Sequence, residues 1–564
     1  ARVSTRRLPV SCPGVNPTCA NMACVSLARA TCATFGTDAS SRTSCGTDVR
    51  WGGGGAGGGK FSTVRPLRAS VVRVTTRGKA RGLTTPRAHA TSNTPNSPSI
   101  TSAPAGSKEA DVLDALRNVI DPDFGENIVN CGFIKDLLIS DEGGVTFTLE
   151  LTTPACPVKE EFDRLSKAFV GAVDWVTSVN VNMTAQPVTN DMPDTVAGMK
   201  GVRHVIAVSS CKGGVGKSTT SVNLAYTLSM MGAKVGIFDA DVFGPSLPTM
   251  TTPEFPVLQM NKDTGTITPT MYEGVGIVSF GFAGQGSAIM RGPMVSGLIN
   301  QMLTTTDWGE LDYLIIDMPP GTGDVQLTLC QVISITAAVV VTTPQKLAFI
   351  DVEKGVRMFS KLSVPCVAVV ENMAYFEVDG VKHKPFGEGS GQRICDEYGV
   401  PNLFQMPIVP ELSACGDTGV PLVLKDPAGE VSSLYGAIAA KVVQEVAKLQ
   451  LGPRGGLQID DAGVAGVPGA LKVMLVDEGG LPFYVRAVDV RRSDRSAKAV
   501  GEARKGDFMM DGVTPVPTDI VPLEMNVVGN YAVSIAWPDG FSQVATFAQI
   551  AQCERLPAKA KAKA

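Results

Sequence analysis

The run Cys211-Lys212-Gly213-Gly214-Val215-Gly216-Lys217-Ser218-Thr219 follows the apolar segment Val205-Ile206-Ala207-Val208 and carries two lysines where an ordinary phosphate-binding loop carries one. Glycines leave the backbone N–H groups of such a turn open to phosphates, Lys217 neutralises the β and γ oxygens, and the Ser218 hydroxyl holds Mg2+. The usual pattern has Gly where this chain has Cys211, a departure that the extra Lys212 offsets. Val222, Leu224, Ala225 and Leu228 then recur at helical spacing before Gly232, so strand, loop and helix come in the order the chemistry needs.

Two more apolar runs, Val235 to Asp241 and Leu314 to Asp317, read as buried strands ending in carboxylates at the sheet edge where ligands bind. Asp317 suits the outer shell of Mg2+ and Asp241 suits the orienting of an attacking water. Asp239 shares one of these roles or caps a turn. Lys217 and Asp241 are thus expected catalytic groups. With only three histidines in the chain, His89, His204 and His383, a zinc hydrolase or a Ser-His-Asp enzyme lacks its components.

The elements that must position these groups alternate between strand and helix. Ala337 to Thr343 and a helix from Ala348 to about Leu362 continue the alternation, which predicts an α/β P-loop domain with a mostly parallel sheet over 198–450. Residues 107–190 read as a small α/β domain. Val112, Leu113, Leu116, Val119 and Ile120 mark a helix face, Val145 to Leu151 alternates as a half-buried strand, and a helix from Val158 to about Val173 precedes a strand at Val179 to Met183. Cys156, in Thr153-Pro154-Ala155-Cys156-Pro157, lies at a helix amino terminus that favours thiolate; it reads as a metal ligand, a nucleophile or a buried structural residue. Residues 451–470 read as a linker, 471–556 as a small mostly-β domain, and 557–564 as a polar tail. In the last domain Arg491, Arg492 and Arg495 form a solvated rim or meet an acidic partner.

The motifs CKGGVGKST, FDADVFGPSLPTM (Phe238 to Met250), GQGSAIMRGPMVSG (Gly284 to Gly297), DYLIIDMPPGTGDVQLTL (Asp312 to Leu329) and VVENMAYF (Val369 to Phe376) resemble the Mrp/Nbp branch of deviant-Walker ATPases in the ParA/MinD superfamily. With the flanking domains, the chain looks most like the plastid high-chlorophyll-fluorescence type of iron–sulfur cluster carrier over about Lys108 to Leu556. That resemblance implies ATP as the nucleotide and a homodimer in which Lys212 reaches phosphates bound by the other subunit. It implies an adenine contact by Asn372, for which a strand-end turn is the other reading. It also implies a 4Fe-4S cluster received from an upstream scaffold and passed to recipient apoproteins, with weak ATP hydrolysis gating release. The Thr153 to Pro157 motif resembles that of small iron–sulfur assembly domains. The alternative is a MinD/ParA-like positioning switch without a cluster, although Ala558 to Ala564 lacks the apolar face of an anchor helix.

Cysteines bear on the cluster directly. Five of 13 fall at positions 12, 19, 24, 32 and 45, and none of the other eight forms a Cys-x-x-Cys pair. Cytosolic members of the family carry such a pair after Glu-Asn-Met and plastid relatives keep one cysteine there, whereas this chain has Ala374. The expected ligands are therefore Cys156 and Cys415, the latter on an exposed loop, with Cys131 third as ligand or core, pooled between two chains. Cys330 and Cys366 are expected in the core.

Of 50 Lys/Arg and 54 Asp/Glu, residues 1–106 hold 14 and 2, leaving 36 and 52 and a net charge of about −16 in the remainder. An acidic body lacks the surface for nonspecific nucleic-acid binding. No apolar stretch reaches the roughly 20 residues of a spanning helix, so no membrane insertion is expected. Residues 1–106, rich in Arg, Ser, Thr and Ala, read as a transit peptide, a chemistry that mitochondrial presequences share; the family resemblance implies the chloroplast stroma as its address, with the mitochondrial matrix as the alternative. The sequence opens on Ala1 rather than methionine, so a further start upstream is expected.

Overall fold

The structure, a computed structural model, describes residues 99–186, 197–284, 292–321, 323–450, 455–459, 467, 469–475, 481–494 and 516–556. The expected transit segment up to residue 98 with its five cysteines, Arg495, and the tail from residue 557 lie outside the described residues.

The small domain starts upstream of Ser107, because the Ile100 N–H already donates to Ile134 O at 2.9 Å. Ser107 caps α1 (Lys108–Leu116) through its hydroxyl, and Val112, Leu113 and Leu116 form the buried face. Strand β1 (Ile134–Ile139) pairs antiparallel with β2 (Gly144–Leu151); after α2 (Lys159–Gly171), β3 (Ser178–Ala185) pairs parallel with β2. Burial alternates along β2 as its sequence demands. Strand β1 was not anticipated: its apolar residues do not alternate, and Asp136 at φ 49° breaks its register.

The central domain runs β4 (Val202–Ser209), α3 (Lys217–Met230), β5 (Val235–Asp239), β6 (Thr270–Tyr272), β7 (Val275–Ser279), α4 (Gly292–Thr305), β8 (Leu311–Asp317), α5 (Asp324–Val332), β9 (Ala337–Thr342) and α6 (Lys346–Lys361). It continues through β10 (Cys366–Val378), β11 (Val381–His383), α7 (Ser390–Tyr398), β12 (Leu403–Pro407), α8 (Pro410–Thr418) and α9 (Glu430–Gln450). The strand order is β6-β7-β5-β8-β4-β9-β10, and both β11 and β12 pair with β10. Seven strands are parallel, while β6 and β11 add antiparallel edges. These strands are buried on both faces, which is why they read as apolar runs without alternation. Helices α3 and α9 pack one face through Leu224, Leu228, Ile438 and Val442; α4 and α6 pack the other through Ile299, Phe349, Val352 and Val356.

The expected linker is partly sheet: Gly455–Ile459 forms β13, antiparallel to β14 (Ala470–Leu475). Pairing supplied from outside the segment turns its Gly-rich sequence into strand. With β15 (Phe483–Arg486) and β19 (Arg555–Leu556) these make one antiparallel sheet, and β16 (Glu524–Val528), β17 (Ala532–Ala536) and β18 (Ser542–Thr546) make a second. Leu471, Val485, Val533, Ile535 and Trp537 fill the core between them. Arg491 is buried against Asp539 rather than on a solvated rim. Among the described residues no helix is long and apolar enough to cross a membrane.

Candidate functional site

Strand β4 delivers the chain to the glycine-rich loop, and α3 begins at Lys217. Cys211 adopts φ 55°, in the left-handed region that glycine occupies at least cost, which explains why the pattern favours Gly here. Its thiol lies against α6 at Gly355, where a Cβ would overlap Cys211 Sγ; burial pushes that thiol up to about 11. Gly355 was not legible in the sequence, since nothing local marks a helix glycine as the seat of a residue 144 positions earlier. Beside Gly213 and Gly214, a Cβ would meet nothing within 4 Å, so the backbone is open for phosphate.

The carboxylates meet through sheet register. Asp317 in β8 pairs with Asp239 in β5 and with Val208 in β4, which sets the two acids side by side behind the loop. Lys217 Nζ contacts Asp317 Oδ1 at 2.6 Å and Ser218 Oγ at 3.2 Å, and the Ser221 hydroxyl donates to the same Asp317 oxygen at 2.7 Å. Sequence reasoning missed Ser221, although it stands at i+4 from Lys217 on one helix face. Asp317 is 0% exposed and its Oδ2 has no hydrogen-bond partner among the described residues. That oxygen retains the acceptor capacity a hydrated Mg2+ would use, so loop and carboxylate together fit a magnesium nucleotide.

Asp239 is fully engaged. Its Oδ1 accepts from Asp241 N at 3.1 Å, and its Oδ2 from Ser246 N at 3.2 Å and Ser279 Oγ at 2.9 Å. It therefore braces the segment after β5. Burial, and then the Asp317 charge, push its carboxyl up to about 7 against the pull of Lys217. Asp241 is half-buried and accepts from Gly244 N at 3.1 Å. The Lys212 ammonium has no ion-pair partner among the described residues; only the Lys212 carbonyl is held, by Ser210 Oγ at 2.6 Å. Asn372 forms no strand-end turn: β10 continues to Val378 through a bulge with Met373 at φ 56°, and Asn372 Nδ2 donates to Val215 O in the loop at 2.8 Å.

The cysteines depart from expectation. Cys415 is not on an exposed loop but inside α8, 1% exposed, in the core beneath α3 and α9. Cys156 sits two residues before the cap of α2, in a small cavity shared with Asp121, Phe133, Phe162, Val443 and Gln444. Burial outweighs the α2 amino terminus and pushes its thiol up to about 11, despite the Val158 N–H; Asp121 and Asp123 add to the rise. Cys131, packed against the small-domain core, is likewise pushed up to about 11 by burial and then by Asp121 and Glu126. Among the described residues no group of three or more His, Cys, Asp or Glu side chains could hold a metal, so Cys131, Cys156 and Cys415 make no cluster site within one chain. His204 is buried beside Tyr313 and pushed down to about 3 by burial, which keeps it neutral and structural.

The Cys156 segment is tied to the floor of the central sheet. Arg203 donates to Thr152 O (2.8 Å) and Gln186 O (2.7 Å), the Tyr313 hydroxyl meets Thr153 Oγ1 at 3.2 Å, and Lys159 Nζ donates to Met231 O at 3.3 Å. These contacts lie at the ends of β4, β8 and α3 opposite the nucleotide loop.

A parallel sheet whose loop carries Lys217 to a buried aspartate, with a second lysine left uncommitted, defines a P-loop nucleotide-binding protein. A family model described as NUBPL iron-transfer P-loop NTPase matches residues 201–443, and one described as iron-sulfur cluster assembly protein matches residues 109–182. The chain is 57% identical over 451 residues to the chloroplastic Fe-S cluster assembly factor HCF101 of Oryza sativa subsp. japonica, covering 79% of this chain and 83% of that one. It is 56% identical over 462 residues to HCF101 of Arabidopsis thaliana, covering 82% and 85%. It is 40% identical over 348 residues to an iron-sulfur cluster carrier protein of Synechocystis sp., covering 60% and 98%. The protein belongs to the iron-transfer P-loop NTPase family, in its HCF101-like branch.

Proposed function

We propose that this protein is an ATP-binding iron–sulfur cluster carrier of the chloroplast stroma, directed there by a transit peptide within residues 1–106. The observation that carries the reading is the Lys217–Asp317–Ser221 constellation behind a two-lysine loop, in a chain related over most of its length to cluster assembly factors. Lys217 contacts both Asp317 and Ser218, so it is poised to take up phosphate charge, and Ser218 with Asp317 would hold Mg2+, which supplies charge neutralisation at the phosphates. Asp241 orients water for weak hydrolysis, and the uncommitted Lys212 reaches the nucleotide of a second subunit, which makes the working unit a homodimer. A 4Fe-4S cluster is cargo, taken from an upstream scaffold and delivered to recipient apoproteins. It is held by thiolates from both chains, since the described residues of one chain bring no set together.

The test is anaerobic reconstitution of the full chain with iron and sulfide, alongside ATP binding and sedimentation, for the wild type and Lys212→Ala. About four irons per dimer, with ATP-dependent dimerisation lost in Lys212→Ala, supports the carrier. Intact ATP binding with no retained iron would leave a nucleotide switch instead.

A further inference from the structure

Two elements brace the phosphate loop from behind, and the carboxy-terminal domain holds both. Helix α6 seats Cys211 at Gly355, and two residues on its Arg357 donates to Ser542 O at 3.1 Å, while also meeting Tyr398 Oη at 3.1 Å and Glu353 at 3.2 Å. Residues two apart on a helix face different sides, so α6 stands between the loop and the carboxy-terminal domain. Strand β10 supplies the second brace, Asn372 to Val215 O, and at its first residue the Cys366 N–H donates to Tyr531 Oη at 2.9 Å. Register along β10 breaks against β9 near Val367, one residue past Cys366, and against β12 between Glu371 and Tyr375, the stretch that contains Asn372. The breaks thus fall at the two ends of the run from Cys366 to Asn372, and the regularly paired Ala368 to Glu371 between them link the Tyr531 anchor to Asn372. Ala532 and Val544 of the same domain pack into the central core, which makes the attachment apolar as well as polar.

We infer that the carboxy-terminal domain positions the phosphate loop, with Tyr531 and Arg357 as positioning residues that act through β10–Asn372 and through α6–Cys211. The inference rests on the nucleotide-binding reading and gives this domain a part in it.

The experiment measures ADP affinity in the presence of Mg2+, with a fluorescent ADP analogue as probe, on the full chain at a temperature where every variant is folded. Tyr531→Phe and Arg357→Gln should each weaken binding by about threefold to tenfold, the range one hydrogen bond spans. Ile535→Val, which loosens the same domain's core without touching either anchor, should leave affinity within about twofold. In a Cys211→Gly background the effect of Arg357→Gln should shrink to under about twofold, because no thiol remains for α6 to seat. Unchanged affinity in Tyr531→Phe and Arg357→Gln, or equal weakening by Ile535→Val, would overturn the inference while the nucleotide reading stands. A wild type that binds no ADP would sink both.

Discussion

Gly216 and Asn372 should behave as one unit, and a double-mutant cycle can show it. Gly216 has φ 86°, and a Cβ there would overlap Asn372 Nδ2, the atom that donates to Val215 O. In Gly216→Ala the left-handed backbone costs about 1–2 kcal/mol. Displacing Asn372 leaves a buried carbonyl unpaired for about 1–3 kcal/mol more. Asn372→Ala alone pays only the second amount. The double variant has the backbone strain and no amide left to displace, so it should match Gly216→Ala rather than the sum. At about 3 °C per kcal/mol and mid-range values, melting temperatures should fall by roughly 10 °C for Gly216→Ala, 6 °C for Asn372→Ala and 10 °C for both, against 16 °C if independent. Calorimetry on the nucleotide-free protein, following the transition of the central domain, is the assay. Drops that add to within about 0.5 kcal/mol would refute the coupling. Gly213→Ala is the contrasting case: with open space around it, it should keep the wild-type melting temperature and lose nucleotide affinity.

Other outcomes follow from the same contacts. Cys156, with its thiol pushed up to about 11, should be alkylated by iodoacetamide with a rate rising about tenfold per pH unit from pH 7 towards 10; a plateau by pH 8.5, read by peptide mass spectrometry, would contradict its buried setting. Ala447→Lys, which places a cation where α9 lines that cavity, should favour the thiolate and raise the alkylation rate at fixed pH by more than about fivefold. Cys415→Ser should lower thermal stability by about 1–3 kcal/mol and leave iron content per chain unchanged, and loss of iron in a fully stable variant would restore Cys415 as a ligand. Lys217→Ala should abolish measurable ATP binding; it also removes the cation that opposes the upward push of burial on the Asp239 carboxyl, so its melting temperature should fall with rising pH more steeply than that of the wild type.

The order of strand, loop and helix, the buried carboxylate ends and the two lysines were legible because each is local: a buried parallel strand must be apolar, and a phosphate turn must be glycine-rich. Side-chain alternation likewise placed a strand over Val145 to Leu151, within the observed Gly144–Leu151, and Pro154 and Pro157 marked the Cys156 turn. Short-range pattern could not say which distant residues meet. Asp317 stands beside Asp239 through register between strands far apart in the chain, and Gly355 and Asn372 reach the loop from residues 139 and 156 positions beyond Gly216. Nor could it place Cys415, whose loop-like Ser-Ala-Cys-Gly-Asp sequence is drawn into a helix and buried by α3 and α9. The sequence by itself determined the chemistry on offer at the nucleotide site, since that chemistry resides in residue types and their spacing along one turn. Only the tertiary structure decided which groups are free to act. Exposure, thiol basicity and hydrogen-bond satisfaction depend on what packs against a residue, and that packing comes from other parts of the chain.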